Sequence, residues 1–142
     1  PLGRFGSSSP EAIAAVESLG QSILQQLPDS LIIIALHNNT DAAFSALSYR
    51  DDTTYQKDAA AVHIESGKDE DNFYLTTHAE IYKALAAQGY HMVLQDNDRA
   101  TDDGSLSVYY GKKGVRYVNV EAQHGHRREQ VKMIGDLVKT LR

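Results

Sequence analysis

Leu31-Ile-Ile-Ile-Ala-Leu-His-Asn-Asn39 is the stretch on which the fold turns. Its apolar part, Leu31 to Leu36, is too short for a core helix and rich in β-branched isoleucine, so it reads as a strand. The run does not alternate with polar residues, which predicts burial on both faces, as in parallel sheets covered by helices. The strand ends in His37-Asn38-Asn39-Thr40-Asp41. In open α/β sheets, ligands bind just beyond the carboxyl ends of such strands.

Outward from this strand, helices and strands alternate. Ser9 and Pro10 open a helix running to about Gln26, with Ile13, Val16, Leu19, Ile23, Leu24 and Leu27 on one apolar face. Pro28-Asp29 ends it. After the central strand come a possible short strand at 44–49, a polar loop at 50–58, and a strand at 60–65. A charged turn follows at 67–72. Thr77 is placed to cap a helix over 78–88 that Gly89 terminates. Tyr90 to Leu94 is the next strand. Ser105 to Tyr110 has both helix and strand features and is read as a short helix. Val115 to Val120 is a strand, and a last helix reaches Leu141, with Val131, Ile134, Leu137, Val138 and Leu141 toward the core. The pattern predicts an α/β, three-layer domain over 10–142, with a mostly parallel twisted sheet flanked by helices. Residues 1–9, rich in Gly and Ser, read as a flexible arm or a cloning scar.

Composition narrows the function. With 142 residues, 42% of them hydrophobic, the chain has the material for one packed core. Its longest apolar run is far below the roughly 20 residues of a membrane span. A net charge of -5 and only short basic clusters argue against nucleic acid as a partner. With no cysteine, disulfides and thiolate metal sites are excluded.

The chemistry-bearing residues gather at two strand ends. His37 closes the first strand and Glu121 follows Val115–Val120, so sheet neighbours of equal polarity would bring the two side by side. Imidazole is a good zinc ligand, and a nearby glutamate outside the ligand set can shuttle a proton. A polar-crevice histidine and an ion-paired glutamate would give the same pattern. Asn38 and Asn39 are candidates for binding a substrate amide or for ending the strand. Arg50 and Arg99 are the loop arginines placed to meet a substrate carboxylate. His124 and His126 read as groups of the site wall that orient Glu121 or the substrate; the alternative is that, with the Glu-x-x-His spacing from Glu121, they complete a metal site. His63, His78 and His91 read as surface or packing residues.

The stretches LIIIALHNNTDAAFSALSY and GVRYVNVEAQHGHRREQV carry a resemblance. Over roughly residues 30 to 135 the chain resembles the C-terminal portion of zinc-dependent amidohydrolases. Two groups are similar: the N-acetylmuramoyl-L-alanine amidases and the zinc carboxypeptidase/aspartoacylase group. The resemblance implies His37 as a metal ligand, Glu121 as catalytic base and acid, zinc as cofactor, and a small peptide-like or amide substrate. These families take two further ligands, a His and a Glu, from an earlier segment. Here the first histidine is His37, and Glu11 and Glu17 lie on the first helix. Either the chain is part of a longer hydrolase, or the metal site is incomplete or rebuilt. His126-Arg-Arg-Glu129 has the His-x-x-Glu spacing of such a pair, but in the wrong order along the chain. The alternative is a non-catalytic ligand- or protein-binding domain of the same fold.

Overall fold

The computed structural model describes residues 9–27, 32–40, 44–50 and 53–142. Most of the expected arm, the Pro28-Asp29 stop, Leu31 and Asp41 lie outside them. The elements are α1 (Pro10–Leu24), β1 (Ile33–Asn39), β2 (Ala59–His63), β3 (Phe73–Thr76), α2 (Ala79–Ala86), β4 (His91–Gln95), α3 (Leu106–Lys112), β5 (Tyr117–Gln123) and α4 (Arg127–Thr140).

The strands form one sheet in the order β1-β5-β3-β4-β2. β1 runs parallel to β5 and β3 parallel to β4, while β3 opposes β5 and β2 opposes β4. The fold is α/β as expected, but the sheet is mixed rather than mostly parallel. The correction has a specific source. β3 is only Phe73-Tyr-Leu-Thr76, between a charged turn and Thr77, too short for periodicity to mark it in the sequence. This short, fully buried strand sits at the centre of the sheet and reverses the strand direction.

β1 also corrects an expectation. It is an edge strand, so its apolar run is not buried on both faces: Leu36 is 54% exposed and Ile34 36%. The Ile33 amide donates to Arg116 O and Asn39 O accepts from the His124 amide, both at 2.9 Å. In a parallel pair, alternate residues bond to the neighbour, so Ile34, Leu36 and Asn38 turn their backbone groups to the outer side.

Successive side chains of a strand point to opposite faces. On one face Tyr74, Met92, Val118 and Val120 pack with Ile81 and Leu85 of α2 and Met133 and Leu137 of α4. Tyr74 Oη donates to Met133 O at 2.8 Å, which fastens α4 to the sheet. On the other face Phe73, Leu75 and Val93 lie under Ala46, Phe44 and Tyr49. Ile33 and Tyr117 join Tyr110 of α3 there, with Leu24 and Leu27 against them.

Helix placement follows local chemistry. Ser9 Oγ accepts from the Ala12 amide at 3.2 Å and Pro10 takes the first helical position, as the sequence predicts. The α1 apolar stripe, however, packs only at its end, and Ile13, Val16, Leu19 and Ile23 remain exposed. Periodicity reports an amphipathic helix, not what covers it. Likewise in α4 it is Met133 and Leu137 that are buried, while Val131 and Val138 are exposed. The possible strand at 44–49 is a 3₁₀ helix (Ala46–Tyr49), because Ser45 and Ser48 cap it reciprocally. Thr77 does not cap α2. Its hydroxyl donates to Val115 O at 3.1 Å and accepts from the Tyr117 amide at 3.0 Å, leaving His78 in the cap position. α3 forms as read, capped by Ser105.

Candidate functional site

The parallel register pairs His37 of β1 directly with Glu121 of β5. Paired residues of neighbouring strands point to the same face, so the register itself brings imidazole and carboxylate together. His37 Nδ1 lies 3.3 Å from Glu121 Oε1. Asn119, two residues before Glu121 and therefore on the same face, sets its amide beside both. Its Nδ2 donates to Glu121 Oε1 at 3.0 Å and sits 3.2 Å from His37 Nδ1.

The partners differ in burial. The Glu121 side chain is 5% exposed, that of His37 53%. Glu121 Oε2 and Asn119 Oδ1 are buried and have no hydrogen-bond partner among the described residues. An ionised carboxylate only accepts, and a buried oxygen left without a donor is costly. The site therefore calls for an electropositive partner at Glu121: a proton, a metal ion or a ligand N–H. Burial, helped by the Glu121 charge, pushes the Tyr117 hydroxyl up to about 12. Burial, again with Glu121 as the next cause, raises the Tyr49 hydroxyl further. Both phenols thus stay protonated beside the carboxylate.

The other expected residues divide. Asn39 shares the His37 face by alternation but turns to the loop before β3, where its Nδ2 donates to Asp71 O at 2.7 Å. Asn38 points to the opposite face and meets His124, with Nδ2 3.3 Å from the ring Nδ1. His126 lies 3.4 Å from Asp69 Oδ2 and 3.3 Å from Asn72 Nδ2. Among the described residues, neither His124 nor His126 hydrogen-bonds Glu121. Arg50 and Arg99 are brought together: with Tyr49 and Lys57 they line one cavity of about 540 Å³. Neither His37 nor Glu121 lines this cavity. A separate cavity of about 500 Å³ beside α4 holds His126 but neither His37 nor Glu121.

Of the remaining histidines, His63 pairs with Glu65 at 3.5 Å. His91 is buried, and its Nδ1 accepts from the Glu65 amide at 3.0 Å. Burial pushes the His91 imidazole below its ordinary range, with the Lys68 backbone and Glu70 acting the other way.

Asn119 is the site residue the sequence reading missed. The signal was present: in Tyr117-Val-Asn-Val-Glu121 two polar residues recur at alternate positions of an apolar strand, and polar groups on a buried face need partners.

Among the described residues no group of three or more His, Asp or Glu side chains stands ready to hold a metal ion. No protein-family model, curated protein or solved structure matches this chain.

Proposed function

We propose that this chain carries the proton-transfer half of a zinc-dependent hydrolase acting on an amide bond, in a peptide, a muropeptide or an N-acyl amino acid. The observation that supports it is the buried Glu121 carboxylate, one oxygen held by Asn119 and the other bare, beside a half-exposed imidazole. The same reading takes the domain as three-layered, supported by helical residues packed on both sheet faces.

The described residues fit zinc only in part. His37 is one nitrogen ligand, and further ligands must come from beyond the described residues. Zinc, when bound, supplies polarisation of the scissile carbonyl. Glu121 takes a proton from the attacking water as its oxygen bonds to the carbonyl carbon. The carboxyl then returns that proton to the nitrogen as the C–N bond breaks, giving a carboxylic acid and an amine. Arg50 and Arg99, in their shared cavity, bind a carboxylate of the substrate. Asn38, Asn39, His124 and His126 are left to the site's surroundings, with no proton to move.

One observation favours a second reading, a non-catalytic domain that binds a small ligand or a partner protein: His37 and Glu121 have no third ligating side chain beside them among the described residues. Metal analysis of the purified chain, with a hydrolysis assay on N-acyl amino acids and muropeptides, separates the two. Zinc near one equivalent that falls on His37→Ala, with hydrolysis that stops on Glu121→Gln, supports the hydrolase. A chain without zinc uptake or turnover, yet binding such an amide, supports the second reading.

A further inference from the structure

The sheet has two margins, and β2 forms the one opposite β1, bonded to β4 alone. Four consecutive residues, Ala59 to Val62, line the cavity of about 540 Å³ that also holds Arg50, Lys57 and Arg99. Successive side chains of a strand point to opposite faces, so a cavity that touches four in a row runs along the strand's edge rather than over one face. A strand bonded on one side turns about half of its amides and carbonyls outward. Among the described residues, the backbone of Ala60 to His63 makes no hydrogen bond beyond those to β4. The described lining carries three cationic side chains and no carboxylate. Arg99 has a carboxylate nearby, Asp96 Oδ2 at 4.0 Å from its Nε, while Arg50 and Lys57 form no ion pair among the described residues. The bulge between Ala59 and Ala61 and the flanking cations blunt this edge against neutral strands. Two copies joined at β2 would set the same cations against each other. An acidic strand meets no such repulsion.

We propose that β2 is a docking edge for an extended acidic peptide, which pairs with its backbone as a sixth strand while its carboxylates meet Arg50, Lys57 and Arg99. Backbone pairing supplies the hold and the cations supply the choice of sequence. This deepens the reading above, since it names the substrate as an acidic peptide anchored apart from Glu121, and it rests on that reading for the role of Arg50 and Arg99.

The probe is a fluorescent, end-blocked heptapeptide that alternates valine and aspartate, added to the full chain. Anisotropy gives its Kd, and amide hydrogen exchange gives its place. The outward amides among Ala60 to His63 are expected to exchange about tenfold slower or more with the peptide bound, because a new strand would bond them. Kd is expected to weaken about tenfold or more when asparagine replaces every aspartate, and likewise when Arg50→Gln, Lys57→Gln and Arg99→Gln are combined. All three side chains are exposed, and the asparagine peptide gives the charge test on the unaltered protein should the triple variant fail to fold. Binding that spares those amides, or that succinate reproduces, marks a site for a lone carboxylate and overturns the proposal. Protection of the same amides that grows with protein concentration alone marks a second copy and also overturns it, as does equal affinity for the asparagine peptide. None of these readouts needs turnover. Peptide docking without hydrolysis sinks the hydrolase reading alone, and hydrolysis of N-acyl amino acids without peptide docking sinks this inference alone.

Discussion

His37 and Asn38 are neighbours in the chain and strangers in space. One faces the buried Glu121 and shares Asn119 with it; the other, on the far face of β1, meets the exposed ring of His124. Both are imidazole contacts at 3.3 Å, the first between β1 and β5 and the second between β1 and the residue just after β5. What separates them is burial. The first pair includes a carboxylate cut off from water, whose energy depends on what it touches. The second is open to solvent, and water can take the place of either partner.

The comparison breaks most visibly in turnover. If the hydrolase reading holds, Glu121→Gln lowers kcat by roughly 10² to 10⁴, the usual worth of a general acid–base group, and leaves zinc content unchanged. Asn38→Ala, on the other face, alters kcat less than about twofold, the mark of a group outside the chemistry. Steady-state kinetics with metal analysis on both variants checks this. Equal losses would erase the distinction between the faces.

Stability sharpens the same contrast between what is covered and what is not. Leu137→Ala removes a fully buried side chain from beneath the sheet and should cost about 2–5 kcal/mol in denaturant unfolding. Leu36→Ala, on the exposed part of β1, should stay within about 0.5 kcal/mol.

Next in size is substrate capture. Arg50→Gln or Arg99→Gln should raise KM for a carboxylate-bearing amide by about tenfold at unchanged kcat, since each removes one charge-assisted contact. A neutral amide analogue should not register the change.

A smaller effect lies in pH. Burial disfavours the charged form of His91, so its folded-state pKa is below the unfolded one. Below the unfolded value of about 6.5 the unfolded chain binds more protons, so stability falls as the pH drops toward the folded value. Melting temperatures between about pH 7 and pH 5 should decline, and His91→Gln, which keeps an acceptor for the Glu65 amide, should decline less. Smallest of all, the Asn38→Ala/His124→Ala double variant should unfold within about 0.5 kcal/mol of the parent.

The juxtaposition at the heart of the site was legible because a strand's end and polarity can be read from its apolar run. His37 and Glu121 each close such a run, and the parallel register made them partners. The directions of the remaining strands were not legible. β3 is four residues long, too short for periodicity to register, yet it reverses the sheet. Nor could a continuous apolar run tell a central strand from an edge, because Ile34 and Leu36 look the same in sequence whether covered or bare. Asn38 and His124 seemed part of one polar cluster until alternation sent Asn38 to the other face. Arg50 and Arg99, far apart along the chain, come to line one cavity only through the folding of their loops.

The outer side of β1 has a practical consequence. Its outward amides and carbonyls at Ile34, Leu36 and Asn38, which no strand covers among the described residues, are what a sticky sheet margin consists of. In concentrated stocks of the isolated chain, copies should add to one another there and come out of solution. A single lysine gatekeeper at position 36 is the economical remedy, and light scattering against concentration would show it.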